Sequence, residues 1–585
     1  MGGANAITGD LIQASASFTD HNGEVASISS AGGQGGGEIT IQHDGGTRGI
    51  PFDVGNATTN GTAGAITTGT GPDGTISPPQ SFPAPFTQGD IQIITQNPPP
   101  PPLEQKPPAQ FPPLPTIPTV EVDSLVGEVD AQLTRQFEQY LGISDTQIKT
   151  LDQVREILQD IEKATGVKPA LIYVSFVPQT VAPEATEGKS LSPSDSLQQL
   201  SPKGVTGVSG TSTSPGASTA VQPPLTQRPT QSTVKRPTQN NDQLEIVVVT
   251  AKGIPVRKRI PGAERAKVLE MAGNFRNEIT NPSKRRTTSY LAPAKQLYQW
   301  LVAPLETDLQ QRGVQSLVFV MDTGLRSLPI AALHDGQKFL VERYSAGLMP
   351  SISLTDTRYM DIKNSQVLAM GAAHFTNQNP LPAVPVELEA IASKLWPGKY
   401  FLNEAFTLEN LKAQRQQNPF GIIHLATHGE FKPGDPSNSY IQLFDSQLRL
   451  DELRQLGWNN PPVELLVLSA CRTALGDEEA ELGFTGFAVQ AGVKSALGSL
   501  WYVSDEGTLG LMTEFYQYLK TAPIKAEALR EAQLAMMQGK VRLQGGQLLG
   551  TQGSLPLPPE LADIGNINLS HPYYWAAFTM IGNPW

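Results

Sequence analysis

One histidine and one cysteine carry the chemistry this sequence can do. His428 closes the run Gly421-Ile422-Ile423-His424-Leu425-Ala426-Thr427-His428, and Cys471 closes the run Glu464-Leu465-Leu466-Val467-Leu468-Ser469-Ala470-Cys471. A cysteine attacks as its thiolate, and a neighbouring imidazole both takes the thiol proton and returns it to a leaving amine. Each run is short, continuous and apolar and gives way to small and polar residues, the pattern of a strand buried on both faces of a parallel sheet. Ligands of open α/β sheets sit beyond the C-terminal ends of such strands, so base and nucleophile face each other if the two strands are neighbours. The stretch between them is long enough for a crossover connection. Gly429, directly after the base, leaves its backbone N–H open to a substrate oxygen, and with the N–H of Cys471 it makes a candidate oxyanion hole. The competing reading is a small buried thiol and a hydrogen-bonded strand end.

Composition bounds the rest. At 585 residues the chain exceeds one hydrophobic core. Its 54 glycines and 49 prolines are concentrated in segments that read as repeat or linker. A net charge of −12 without a long basic run argues against nucleic acid as a partner. No stretch is apolar enough for a membrane span, and the first residues lack the pattern of a signal peptide. The expected location is therefore the cytoplasm, with the cell surface or secretion as the alternative if an export segment precedes this sequence. One cysteine excludes an intramolecular disulfide, and the seven histidines lack zinc-site spacing, so neither metal nor cofactor is expected.

The elements that must position the pair follow in order. Residues 1–95 are rich in Gly, Ala, Ser, Thr and Asn with short alternating pieces such as Glu38 to Gln42, which suits either coils of a parallel β-helix or a disordered leader. The composition resembles a filamentous-haemagglutinin-type repeat remnant. Residues 96–120 are a proline-rich linker, extended and semi-rigid, and 121–144 a connecting helix. Leu151, Val154, Leu158 and Ile161 recur at helical spacing up to Gly166. Two buried strands, 170–177 and 244–250, flank an insertion at 179–242 that is rich in Ser, Thr, Pro and Gln and carries no aromatic residue. Such a segment buries too little to offset its ordering entropy and is expected to be disordered, its ends neighbours in space. Helices at 262–280 and 289–311 precede a strand at 316–321. From Gln366 strands and helices alternate to the end: helices at 386–395, 407–416, 450–456, 482–492, 506–520 and 525–538, a strand from Ala496 to Val503, an irregular stretch at 539–570 and a strand from Tyr573 to Ile581. That pattern is α/β with a mostly parallel sheet and helices on both faces.

The pair His424-Leu425-Ala426-Thr427-His428-Gly429 and Leu468-Ser469-Ala470-Cys471-Arg472-Thr473-Ala474 resembles the signature of the CHAT domain, a caspase- and separase-related cysteine peptidase family. The blocks Glu481 to Ala488, Ser499 to Glu506, Phe515-Tyr516, Ala528 to Gln533 and His571 to Phe578 resemble that family's later segments. The resemblance implies a caspase-like three-layer sandwich in two halves, a pseudo-caspase half at 145–360 and an active half at 361–585, with base His428 and nucleophile Cys471 cleaving peptide bonds. Ser469 and Thr473 depart from the caspase and metacaspase surroundings of the cysteine, so cleavage after Asp is not implied. Trp501-Tyr502-Val503-Ser504-Asp505 is similar to the separase segment whose Asp receives a basic P1 side chain, which makes Asp505 the S1 candidate. Capping of the helix from about 506 by Ser504 or Asp505 is the competing reading.

Other polar residues read more simply. His424, four before His428 on a strand, shares its face and is structural; Asp322 forms a turn; Asp445 and Asp451 can orient His428 without being required; Glu478, Glu479 and Glu481 form a solvated acidic loop. Two functions follow from different classes. The first is a cysteine endopeptidase acting on a protein substrate, its own insertion among the candidates through Lys203, Arg228, Lys235 and Arg236, and answering to an activating protein partner. The second is a non-catalytic surface-associated scaffold that uses the CHAT-like unit as a binding module.

Overall fold

Short strands broken by glycine cannot bury a core singly and must share one. The computed structural model describes residues 5–9, 12–32, 36–43, 51–57, 60–69, 74–82, 85–95, 119–178, 238–473 and 477–585, which form two compact units within 1–116 and 117–585. The described residues of the first hold β1 (Asn5–Gly9), β2 (Gln13–Ala14), β3 (Phe18–Thr19), β4 (Val25–Ser29), β5 (Ile39–His43), β6 (Phe52–Val54), β7 (Gly61–Thr62), β8 (Ala65–Thr67), β9 (Thr75–Ile76), β10 (Gln80–Phe82), β11 (Phe86–Gln88) and β12 (Ile91–Thr95). β1, β5 and β12 pair in parallel, as do β4 with β8 and β2 with β7. Ile39, Ile41, Phe52, Ile66 and Ile91 meet in one small core, the geometry of stacked coils. The proline tract up to Pro118 lies outside the described residues.

The second unit continues with α1 (Thr119–Leu141), α2 (Leu151–Thr165), β13 (Pro169–Val177), β14 (Gln243–Thr250), β15 (Val256–Glu264), α3 (Arg265–Thr280), α4 (Leu291–Leu301), α5 (Glu306–Gln311), β16 (Ser316–Met321) and β17 (Ser345–Leu348). Then come β18 (Val367–Gly371), α6 (Val384–Glu389), β19 (Gly398–Leu402), α7 (Leu408–Gln417), β20 (Ile422–Phe431), β21 (Tyr440–Gln442), β22 (Gln447–Arg449), β23 (Leu465–Thr473), α8 (Glu478–Ala491), β24 (Ser495–Ser499), α9 (Asp505–Leu519) and α10 (Lys525–Met537). The chain closes with β25 (Arg542–Gln544), β26 (Gln547–Gly550), β27 (Gly553–Pro556), α11 (Pro559–Ala562), β28 (Ile567–Asn568), α12 (Pro572–Trp575) and β29 (Phe578–Gly582).

Strand alternation builds the layers. Ala170, Ile172 and Val174 of β13 face a core with α3 and α4, while Leu171 and Tyr173 face a second core with α1 and α2. β13 is therefore covered on both sides, and the arrangement is helix, sheet, helix. α2 forms where the sequence predicts it: Leu151, Val154, Leu158 and Ile161 are its buried stripe, Thr150 and Gln153 make a capping box, and Gly166 takes the left-handed C-cap at φ 72°. All elements of the sheet join in the order β15-β14-β13-β16-β17-β29-β24-β23-β20-β18-β19, with β21 and β22 attached to β20. The seam between the earlier and later strands is the parallel pair β17 and β29, Gly347 against Met580 and Leu348 against Ile581.

The sheet is mixed: β14, β15, β21, β22 and the β24–β29 contact are antiparallel. Val177 pairs with Gln243, so the ends of the insertion are neighbours; its residues 179–237 lie outside the described residues. Several elements differ from the sequence reading: β15 runs to Glu264 before α3 begins, β24 ends at Ser499, and 450–456 is a 3-10 helix. The helix at 289–311 is broken at Ala303–Leu305, where Pro304 cannot donate a helical hydrogen bond. Residues 573–575 form a helical turn rather than the start of a strand, because His571 accepts from the Tyr573 N–H and Pro572 takes the first helical position. The stretch 539–570 holds a small antiparallel sheet, β27-β26-β25-β28.

Gly371 ends β18 beside the His428 strand, and a Cβ there would sit 2.4 Å from the Ala426 carbonyl oxygen and 2.9 Å from Val384 Cγ1. Backbone cannot yield like a flexible side-chain end, so Gly371→Ala is expected to destabilise the protein by about 1–3 kcal/mol. Urea unfolding should show a lower midpoint at an unchanged slope.

Candidate active site

β20 and β23 are adjacent and parallel, with β24 on one side of the pair and β18 on the other. Ile422 to Leu425 pair with Leu465 to Leu468, but His428 pairs with Ala470 and Gly429 with Cys471, so β20 carries one extra residue between Leu425 and His428. Such a bulge re-aims the side chains that follow it. It breaks the alternation on which a shared face for His424 and His428 rests, and the two histidines have different partners. His424 is fully buried, with Nε2 2.8 Å from Glu387 Oε1 and Nδ1 3.2 Å from the Tyr516 hydroxyl. His428 is 9% exposed, its Nε2 2.8 Å from the carbonyl oxygen of Asn379.

That carbonyl can only accept, so Nε2 carries the hydrogen and Nδ1 keeps the lone pair that a base needs. Burial pushes the His428 pKa below its ordinary value, opposed by the Asn379 carbonyl and the charge of Glu430. The imidazole is therefore neutral at pH 7. Phe375 lies 4.8 Å from its ring and Tyr502 stacks on it at 6.2 Å and 23°. Tyr502 is fixed in turn, because the Tyr573 hydroxyl donates to its carbonyl at 3.0 Å and Trp501 Nε1 donates to the Tyr573 carbonyl at 3.1 Å.

The sequence reading put Gly429 at a free strand end. In the structure β20 runs on to Phe431 and β23 to Thr473, so Gly429 is flanked by Ile441 of β21 and Cys471 of β23. The crossover between the two strands is the β21–β22 hairpin followed by a 3-10 helix at Leu450–Leu456. The backbone of Cys471 is thus one position past the partner of His428.

Asp505 begins α9 in its first turn; Ser504 holds the N-cap position but makes no side-chain cap bond. The half-buried Asp505 carboxylate instead accepts the Ala383 N–H through Oδ2 at 2.5 Å. Burial first, and then the charges of Glu387 and Glu506, push its pKa up to about 7 against the pull of that hydrogen bond. Asp322 does form a turn, accepting from the Thr323 and Phe176 N–H groups. Asp445 and Asp451 are exposed, and neither bonds His428 among the described residues.

The acidic run is helical rather than a loop, and of its three carboxylates Glu478 and Glu479 are exposed while Glu481 is not. Its residues lie on α8, and Glu481 is fully buried, accepting from the Gly324 N–H at 3.0 Å and the Ser327 hydroxyl, with Arg276 3.8 Å away. These partners replace the water that a carboxylate otherwise requires. Sequence reasoning missed Asn379, Phe375 and Glu387. Asn379 acts through its backbone, so its residue type gives no signal, and Glu387 is one of two acids on a short helix.

Fold and site together define an α/β protein with a histidine and a cysteine on adjacent parallel strands. Residues 291–583, half of the chain, match the CHAT domain, and the chain belongs to that family. No curated protein matches the sequence. Among solved structures, separase in the Saccharomyces cerevisiae separase–securin complex is similar over 80% of this chain and 34% of that one, at 9% identity and a TM-score of 0.40. The complex of the pro- and mature domains of RgpB from Porphyromonas gingivalis is similar over 56% and 77%, at 10% identity and 0.30. The Arg-specific cysteine proteinase gingipain R matches over 54% and 73%, at 11% and 0.30. This chain spans about a third of the length of the separase chains it matches. Among the described residues no helix is long and apolar enough to cross a membrane.

Because the folded pKa of His428 lies below the unfolded value of about 6.5, the unfolded chain binds its proton first. The contribution of His428 to stability is full above that value and is lost as pH falls through the folded pKa. NMR titration of labelled histidine should show the His428 imidazole titrating below pH 6.5, and its signals should vanish in His428→Ala.

Proposed function

We propose that this protein is a cysteine endopeptidase in which Cys471 is the nucleophile and His428 the base. The observation that carries this is the His428 imidazole, held through Nε2 by the Asn379 carbonyl so that Nδ1 has the free lone pair, on the strand paired with that of Cys471. The thiolate attacks the scissile carbonyl carbon, and backbone N–H groups beside the nucleophile receive the developing oxyanion. His428 protonates the departing amine, and then takes a proton from the water that hydrolyses the thioester.

The finer reading is cleavage after a basic residue. Oδ2 of Asp505 is engaged by Ala383, but Oδ1 has no hydrogen-bond partner among the described residues, and Glu506 beside it adds negative charge. Both favour a cationic P1 side chain. The insertion remains a candidate substrate: since Val177 and Gln243 pair, a cut between them would leave its flanking strands hydrogen-bonded in the sheet. An activating protein partner and the cellular compartment are further parts of this reading.

The stacked coils within residues 5–95 favour the second reading, a scaffold with a haemagglutinin-like repeat remnant and the CHAT unit as a binding module. The two readings diverge in one experiment. After incubation with a mixed peptide library, wild type should release fragments whose new C-termini are Lys or Arg. Cys471→Ala and His428→Ala should each lose at least about 10³-fold in rate while keeping a cooperative unfolding transition. Cleavage persisting in Cys471→Ala would rule the mechanism out.

A further inference from the structure

The segment 372–383 leaves the C-terminal end of β18 and leads into α6. It carries the Asn379 carbonyl that fixes the tautomer of His428. Its base is closed by Leu381 N–H donating to the Ala373 carbonyl at 2.9 Å, and the Ala373 N–H donates to Asn403 Oδ1 at 2.9 Å. Near its tip Gln378 Nε2 reaches the Tyr440 hydroxyl at 3.4 Å. At its far end the Ala383 N–H donates to Asp505 Oδ2. Of these tethers the last ends on a carboxylate, and a bond to a carboxylate is stronger than one between neutral partners.

We propose that Asp505 is a positioning residue for the base: by holding Ala383 it fixes the segment whose Asn379 carbonyl orients His428. The proposal rests on the reading of His428 as the base and adds a second duty to Asp505 beyond P1 recognition. The charged and titratable groups facing Asp505 are Glu506 on its own helix, Glu387 on α6 and Tyr502 just before α9. With its pKa pushed up to about 7 by burial and those carboxylates, Asp505 changes charge near neutrality. Protonation weakens its hold on Ala383. A cationic P1 side chain beside Oδ1 favours the ionised form, so substrate binding tightens the tether on the base.

The test uses the full chain and its one cysteine. The rate of alkylation by iodoacetamide, small and uncharged, reports the Cys471 thiolate without needing a substrate pocket. It is measured against pH for wild type, Asp505→Ala, Asp505→Asn, Ala383→Pro and His428→Ala. Asp505→Ala and Ala383→Pro remove the same hydrogen bond from opposite ends, and each should slow alkylation at pH 7 by roughly tenfold toward the His428→Ala rate. Asp505→Asn keeps an acceptor oxygen and should stay within about threefold of wild type, with the inflection near pH 7 removed. Alkylation that depends on His428 but is unchanged in both Asp505→Ala and Ala383→Pro overturns the positioning role alone. Alkylation alike in wild type and His428→Ala overturns the pairing of base and nucleophile, and the positioning role with it.

Discussion

Everything about the site depends on one pairing, the parallel register of β20 against β23. It places Gly429 opposite Cys471 and brings a histidine and a cysteine distant in sequence to neighbouring positions in the sheet. Parallel strands require a crossover, here supplied by a hairpin and a 3-10 helix rather than an α-helix. The one-residue bulge before His428 separates two jobs on one strand: His424 stays locked in the core, while His428 is turned toward the Asn379 carbonyl. A slip of one residue would exchange the buried and functional sides.

Around that pairing the protein uses buried charge to hold loops in place. Glu464 pairs with Lys494 at 2.8 Å, and Glu481 with Gly324, Ser327 and Arg276, while Glu387 shares a hydrogen bond with His424. A buried pair adds little net stability over an apolar replacement, but losing one partner costs about 3–5 kcal/mol because the other charge is stranded. Such pairs specify position more than they add stability. Glu481 is the clearest case: it anchors α8, the helix that follows the Cys471 strand, to the turn after β16.

Much of this was legible in the sequence because apolar period and caps are local. α2 is marked by its stripe, by Thr150 and by Gly166, and the strands bearing His428 and Cys471 by unbroken apolar runs. The helical turn at 572–575 had a signal in His571-Pro572 that the aromatic run beside it masked. Glu481 was also readable in principle: Phe484 and Ala488 follow it at helical spacing and are buried with it. The bulge, the Asn379 carbonyl and the Ala383 to Asp505 bond were not readable, since each is a backbone event fixed by tertiary packing. Asp505 illustrates the limit: its type and place suggested a cap or a specificity pocket, and its observed partner is a backbone amide from another loop.

The central claim, that His428 and Cys471 act as one unit, is tested most directly with a peptidyl acyloxymethyl ketone carrying a P1 lysine. Peptide mapping after labelling should find a single adduct on Cys471, formed at pH 7 in wild type and at least about 100-fold more slowly in His428→Ala. Labelling at an equal rate in both proteins, or no adduct on Cys471 in wild type, would contradict it.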